Sequence, residues 1–312
     1  MKYLLFRPNS GFNDNLNTIY TCLEYCKKYN RVLLLDTFHY FSLYKIEFHK
    51  LFTFDEEYKD IVITEKTKIE EILKDQNLSL YPSFLKENIL DCSYQTYWNN
   101  NSFILTTHTE TLAWEWSDGQ NFIKYPDGNI LPYFSDLDRI YNQQDLDEDI
   151  ILFPLSGGGS KSHILMNHLT LTDNFIEKVM FRYNKIPKPY TSIHVRNTDM
   201  ISDYKNFYQE NKDRFDNKNI FLATDSSGAL DFFMGLGTEH KIFHNTYPLM
   251  NNLPYHTYNQ DMEQKILNTI IDLFVLALGD EFLRVNKNSG FTTLAHYLYS
   301  NKNLLNNVLK IK

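Results

Sequence analysis

The sequence predicts an α/β protein of two domains, each built on a parallel sheet. Three observations carry that prediction. Short apolar runs without polar alternation recur towards both ends of the chain, the pattern of strands covered on both faces. The clearer runs break into polar residues, several with glycine or asparagine. Stretches with apolar residues at helical spacing follow them.

Taken in order, Tyr3-Leu4-Leu5-Phe6 reads as a buried strand, and residues 8–15 as a polar turn. From Leu16 onward Ile19, Tyr20, Leu23 and Cys26 mark one helix face, and Val32-Leu33-Leu34-Leu35 is a second strand ending at Asp36. About 35 residues for strand, turn, helix and strand is the length of one βαβ crossover. The pattern returns in Thr191-Ser192-Ile193-His194-Val195 and in Ile220-Phe221-Leu222-Ala223, which runs into Thr224-Asp225. Ile266, Ile270, Phe274, Ala277 and Leu278 stripe a long helix. A weak strand at residues 282–285 leads to Asn288-Ser289-Gly290 and a last helix over 291–298. The middle, roughly 37–150, reads as irregular and aromatic-rich. The boundary is expected between the acidic stretch 145–149 and Pro187-Lys188-Pro189, giving domains of 1–175 and 176–312.

A chain of 312 residues is long enough for two such domains, each with its own core. With 15% aromatic residues it is not a disordered chain. Its 31 basic residues against 39 acidic ones leave a net charge of −8, which argues against a nucleic-acid partner. Three cysteines, Cys22, Cys26 and Cys92, are too few for a disulfide framework or a thiolate zinc site. Cys22 and Cys26, four apart on a helix, read as core filling. The apolar run before Arg7 is too short for a signal-peptide core, and Leu273 to Leu278 is too short for a membrane span. A reduced, soluble, cytoplasmic protein with no transmembrane segment is expected.

In open parallel sheets ligands bind beyond the carboxyl ends of the strands. Four polar segments fall there: residues 10–15, 194–199, 224–227 and 286–290. Gly11 and Asn13 can both take positive φ, and the helix behind them offers free N–H groups to an anion. The alternative is a turn that needs such residues for geometry alone. Arg196, at a strand end, can form bidentate bonds to a phosphate with Asp199 holding it, or can be an ordinary surface ion pair. Ser289-Gly290, opening a helix, suits phosphate or a simple N-cap.

These four segments, in this order, resemble motifs of the fucosyltransferase superfamily that includes α-1,6-fucosyltransferases, rhizobial Nod-factor fucosyltransferases and protein O-fucosyltransferases. Gly11-Phe12-Asn13-Asp14-Asn15-Leu16 is similar to its N-terminal glycine-rich motif. His194-Val195-Arg196-Asn197-Thr198-Asp199 resembles the His-Val-Arg-Arg-Thr-Asp of the α-1,6 group, and Phe221-Leu222-Ala223-Thr224-Asp225 its Leu-Ala-Thr-Asp strand. Residues 272–280 with Asn288-Ser289-Gly290-Phe291 and Leu294-Ala295 are similar to its last donor-binding motif. Roughly 37–185 has no match.

The resemblance implies a GT-B fold of two Rossmann-like domains, an acceptor-side N-terminal one and a donor-binding C-terminal one. It implies an inverting, metal-independent transfer of fucose from GDP-fucose to a saccharide or glycoconjugate, with no cofactor. By position, Arg196 would hold the β-phosphate and stabilise departing GDP. His194 and Asp225 would lie near the guanosine, Ser289 and the backbone at Gly11 would contact the pyrophosphate, and Asn13, Ser226 and Gly290 complete the donor-binding candidates. The chain departs at Asn197, where the group has a second arginine, at Asn13 for a glycine, and at Met200 for a lysine. Asp203 stands one position early for the acidic acceptor-site residue. Another nucleotide-sugar donor, or a non-catalytic nucleotide- or sugar-binding protein, fits the same motifs.

Residues outside the motifs add further candidates. His108, Glu110, Trp114 and Trp116 combine a carboxylate and a histidine with rings that can stack on sugar, so Glu110 joins Asp203 as a candidate general base. Ser156-Gly157-Gly158-Gly159-Ser160-Lys161-Ser162 imitates a P-loop, but Ser160 replaces the glycine required before the lysine. An interdomain or acceptor-side loop is expected there. Asp136-Leu137-Asp138 and Asp145-Leu146-Asp147 read as solvated loops.

Overall fold

The protein is described by a computed structural model over residues 1–8, 10–39, 44–81, 83–90, 92–97, 102–107, 111–115, 122–124, 130–132, 145–153, 159–197, 201–237, 240–245 and 262–311. The chain divides into two compact units, the first holding Met1–Lys50 and Phe54–His168, the second Leu51–Thr53 and Leu169–Lys312. The sequence reading put this division at 175/176.

In the first unit, β1 (Lys2–Phe6), α1 (Phe12–Tyr29) and β2 (Arg31–Leu35) form the expected βαβ crossover. After β3 (Phe52–Phe54), whose first two residues belong to the second unit, come β4 (Val62–Ile63), α2 (Lys66–Lys74) and β5 (Leu80–Tyr81). Next are β6 (Cys92–Tyr97), β7 (Ser102–Thr107), β8 (Thr111–Glu115), β9 (Phe122–Lys124) and β10 (Ile130–Pro132). The unit closes with β11 (Ile150–Phe153) and α3 (Lys161–Leu165). A parallel sheet runs β4-β2-β1-β11-β5, with Leu4, Leu5, Leu33, Leu34 and Ile151 wholly buried in it. Burying each such side chain is worth roughly 1.5–3 kcal/mol.

The middle of the chain is more regular than the sequence reading had it. β6, β7 and β8 form an antiparallel meander in whose backbone register Tyr94 is opposite Leu105, Thr96 opposite Phe103, and Phe103 opposite Trp114. The acidic stretch 145–149, expected to contain a solvated loop, exposes Asp147 but is anchored on either side of it. The guanidinium of Arg31, with no side-chain exposure, bonds Asp145 Oδ1 at 2.8 Å and the carbonyls of Tyr3, Glu148 and Leu146 at 3.1, 3.0 and 2.5 Å. That arginine ties the stretch to the starts of β1 and β2.

The second unit comprises β12 (Leu169–Leu171), which pairs with β3, α4 (Asp173–Asn184), β13 (Tyr190–Val195), α5 (Tyr204–Glu210), α6 (Lys212–Phe215) and β14 (Asn219–Thr224). It ends with α7 (Ser227–Gly235), β15 (Ile242–His244), α8 (Met262–Ala277), β16 (Glu281–Arg284), α9 (Gly290–Ser300) and α10 (Lys302–Val308). All four strands of its main sheet are parallel, in the order β15-β14-β13-β16. On one face Ile193, Val195, Ile220 and Leu222 pack with Tyr208, Phe215 and Phe233. Residues 270–277 of α8 are all buried, as an inner helix requires.

Candidate functional site

In chain order the four strands of the second unit lie 3-2-1-4, so the topological switch point falls between β13 and β16. A crevice at the carboxyl ends of those strands is where open α/β sheets take ligands. Val195 is followed there by Arg196 and Asn197, Thr224 by Asp225 and Ser226, and Arg284 by the turn that ends at Ser289. His194, Arg196, Asp225, Ser226, Ser289 and Gly290 are therefore brought to one edge of one sheet.

Strand alternation decides how His194 is placed. Ile193 and Val195 enter the core on one face, so Tyr190, Ser192 and His194 point to the other. There the Tyr190 hydroxyl donates to Val275 O of α8 at 2.7 Å, and His194 meets α9. Its Nδ1 lies 2.5 Å from Thr292 Oγ1, and its ring lies 4.9 Å from that of Phe291. Burial first, and the Arg196 cation second, push the imidazole down to about 3, so it is neutral at ordinary pH. Arg196 itself is half-buried.

The loop after β13 is held by short polar contacts. Asp225 Oδ1 accepts from Asn197 N at 2.7 Å, and Asn197 Oδ1 accepts from Ser202 N at 2.9 Å. Ser202 Oγ donates to Arg196 O at 3.0 Å. Asn197 thus braces the backbone that carries Arg196.

Three of the expected site residues serve as helix N-caps. Ser226 Oγ accepts from Ala229 N, Ser289 Oγ from Thr292 N, and Asp203 Oδ1 from Asn206 N. Ser226 and Ser289 are buried, whereas Asp203 is exposed. Each cap removes one orphan donor of its helix. At α9 this leaves the N–H groups of Gly290 and Phe291 as the ones that can turn to an anion.

Gly11 and Asn13 lie in the first unit, and their backbone corrects the expected positive φ. Gly11 is the N-cap of α1 with φ −57°, and Asn13 is already helical. The helix begins early because its asparagine side chains have partners to close against. Asn13 Oδ1 accepts from Ser162 Oγ at 2.7 Å, Asn17 Oδ1 from Ser162 N at 3.0 Å, and Asn15 Nδ2 donates to Ser10 O at 2.6 Å. Gly159, at φ +144°, is the glycine here that needs its freedom, and a Cβ on it would meet Asn17 Oδ1 at 3.4 Å. Of the glycine-serine segment, residues 159–162 belong to the first unit and lead into α3, so the expected interdomain placement does not hold for them, while residues 156–158 lie outside the described residues. Lys161 Nζ donates to Thr21 Oγ1 at 3.0 Å.

Glu110 and its neighbours His108 and Trp116 lie outside the described residues, as do Asp199, Met200 and Asp136-Leu137-Asp138; Trp114 is on β8. Among the described residues, Asp55, Glu57 and His168 of the first unit are grouped closely enough to hold a metal. His168 Nδ1 is 2.8 Å from Asp55 Oδ2, and Lys27 Nζ is 2.6 Å from Glu57 Oε1, so these charges already have partners. No helix among the described residues is long and apolar enough to cross a membrane.

Sequence reasoning missed Thr292, Ser202, Asn17 and Ser162 as organisers of these loops. Thr292 meets His194 across 98 positions, and no local pattern encodes that meeting. Arg7 was also passed over. It pairs in the buried interior with Asp36 at 2.8 Å, joining the ends of β1 and β2.

No protein-family profile matches the sequence, and neither does any curated protein. Solved structures do. A NodZ α-1,6-fucosyltransferase co-crystallized with GDP aligns over 95% of this chain and 92% of its own, at a TM-score of 0.56 and 14% identity. The fucosyltransferase NodZ from Bradyrhizobium aligns over 95% and 93%, at 0.55 and 14%. POFUT1 in complex with GDP aligns over 96% and 95%, at 0.54 and 14%. At such identity the likeness establishes the fold, α/β of the GT-B class, and meets the expected resemblance at that level.

Proposed function

We propose that the protein is an inverting, metal-independent glycosyltransferase that moves fucose from GDP-fucose to a hydroxyl of a saccharide or glycoconjugate. The observation that carries this reading is the half-buried Arg196 beside the buried, neutral His194 at the switch point of the second unit's sheet. The fold shared with fucosyltransferases solved with GDP supports it. In this reading the second unit binds the donor and the first serves the acceptor. The protein works in the cytoplasm with no cofactor.

The chemistry asks little beyond charge and geometry. The acceptor oxygen attacks the anomeric carbon from the face opposite GDP. The bond from that carbon to the β-phosphate oxygen breaks, and its electron pair leaves with GDP. The acceptor's proton passes to a carboxylate, for which Asp203 and Glu110 are the candidates. Negative charge grows on the leaving phosphate in the transition state, so a cation already in place favours that state over the bound substrate. Arg196 supplies it, and the N–H groups of Gly290 and Phe291 at the start of α9 add partial positive charge. Asp225 and Asn197 act earlier, by bracing the strand end from which Arg196 projects.

Titration calorimetry of GDP, UDP and ADP into the wild type and Arg196→Ala tests this. Selective GDP binding that collapses in the variant, with transfer slowed 10²–10³-fold (about 3–4 kcal/mol of barrier), is expected. Absent GDP binding, or binding indifferent to Arg196, would overturn it. Preference for another nucleotide would redirect the donor assignment. GDP binding without turnover on any acceptor would make the protein a binding module.

A further inference from the structure

Thr292 stands apart from the other helical threonines whose hydroxyls the structure places. Thr18, Thr21, Thr269 and Thr293 each turn the hydroxyl back to the carbonyl four residues earlier, at 2.9, 3.1, 2.9 and 3.0 Å. That is the usual habit of threonine inside a helix. Thr292 makes no such bond. Among the described residues its hydroxyl has a single partner, His194 Nδ1 at 2.5 Å, and the residue is wholly buried.

Burial settles which atom carries the proton. If Nδ1 held it and donated to Thr292, the threonine's own O–H would be sealed in without an acceptor, a costly arrangement. If the hydroxyl donates instead, both groups are satisfied, and the ring proton must sit on Nε2. His194 Nε2 makes no hydrogen bond among the described residues, and it is not one of the enclosed polar atoms that lack a partner. The backbone holds Thr292 in place, because its N–H donates to the Ser289 cap at 3.4 Å, and Phe291 packs on the imidazole.

We infer that Thr292 is a positioning residue: by donating to Nδ1 it locks His194 as the Nε2–H tautomer, so that the ring presents a hydrogen-bond donor to an acceptor atom of the bound nucleotide. The inference rests on the nucleotide reading of this crevice. It places a donor at the carboxyl edge of the sheet, two residues before Arg196, suited to the oxygen and ring-nitrogen acceptors of a nucleotide and unsuited to a ligand donor at the same point. The same lock explains how an uncharged histidine can serve an anionic ligand.

The test has two readouts. Long-range proton–nitrogen spectra of ligand-free, ¹⁵N-labelled protein, with His194 assigned by difference from His194→Gln, report the tautomer directly. The Nε2–H form is expected in the wild type and in Thr292→Ser, and a mixture of tautomers in Thr292→Val. GDP titrations should show Thr292→Val weakened about tenfold and Thr292→Ser close to wild type. A wild-type ring protonated on Nδ1, or Thr292→Val binding GDP as tightly as wild type, would overturn the inference. If the wild type binds no GDP at all, the nucleotide reading falls, while the spectrum still decides the tautomer.

Discussion

Exchanging His194 for glutamine should abolish an acid-sensitive part of the folding stability. Unfolded, a histidine takes up its proton near pH 6.5. In the fold, burial and Arg196 hold that uptake off until about 3. The folded value is depressed, so the unfolded chain binds the proton first as the pH falls. The contribution is therefore complete above about pH 6.5 and is lost progressively between that point and about pH 3. Each pH unit in this window is worth about 1.36 kcal/mol, so by pH 5 the wild type should have lost about 2 kcal/mol through this ring alone. His163 and His296 are also held below the usual value, by burial and, for His296, by Arg284 as well. Glutamine removes the proton site and leaves those two unchanged, so the difference between the two stability profiles isolates His194. Urea unfolding at pH 8, 6.5, 5.75 and 5 measures it. Parallel profiles, or an NMR titration of His194 with a midpoint near 6.5, would refute the assignment of a buried neutral ring.

Two further substitutions probe the packing of the second unit and of the first. A methyl group on Gly279 would collide with Ser192 Oγ and meet Glu281 O at 3.1 Å, so Gly279→Ala should cost about 1–3 kcal/mol, visible as a lowered Tm. Adding Ser192→Gly should return part of that loss, and an unchanged Tm in the single variant would contradict the close approach. Arg31→Met should cost about 3–5 kcal/mol, because it removes the ion pair with Asp145 and the bonds to four carbonyls in one step. Chemical denaturation measures the cost, and a loss under 1 kcal/mol would mean that the segment 145–149 is held by other contacts.

The parts of the fold legible in the sequence are those governed by near neighbours. β1, β2 and β14 carry unbroken runs of apolar residues, because a strand covered on both faces admits no polar alternation. The inner helix α8 shows its stripe, and Arg196 stands out because a cation just past a strand end is chemically conspicuous. Ser226, Ser289 and Asp203 were equally visible, but one residue type serves both a cap and a ligand contact, and the local geometry uses each as a cap. Asn13 reads as a turn residue until Ser162 is seen to close against it.

By itself, then, the sequence determined the α/β class, the order of strands along the chain and the residue types at their carboxyl ends. Periodicity and turn chemistry act over a few residues, and those properties are local. Tertiary structure decided the 3-2-1-4 order of the second sheet, the burial of Arg31 against residues 145–149, and the meeting of His194 with Thr292. Each of these joins groups far apart in the chain, and which distant groups meet is settled only when the strands pair and the core excludes water. The same exclusion of water makes the choice of tautomer at His194 matter, because a buried polar atom must find its partner within the protein.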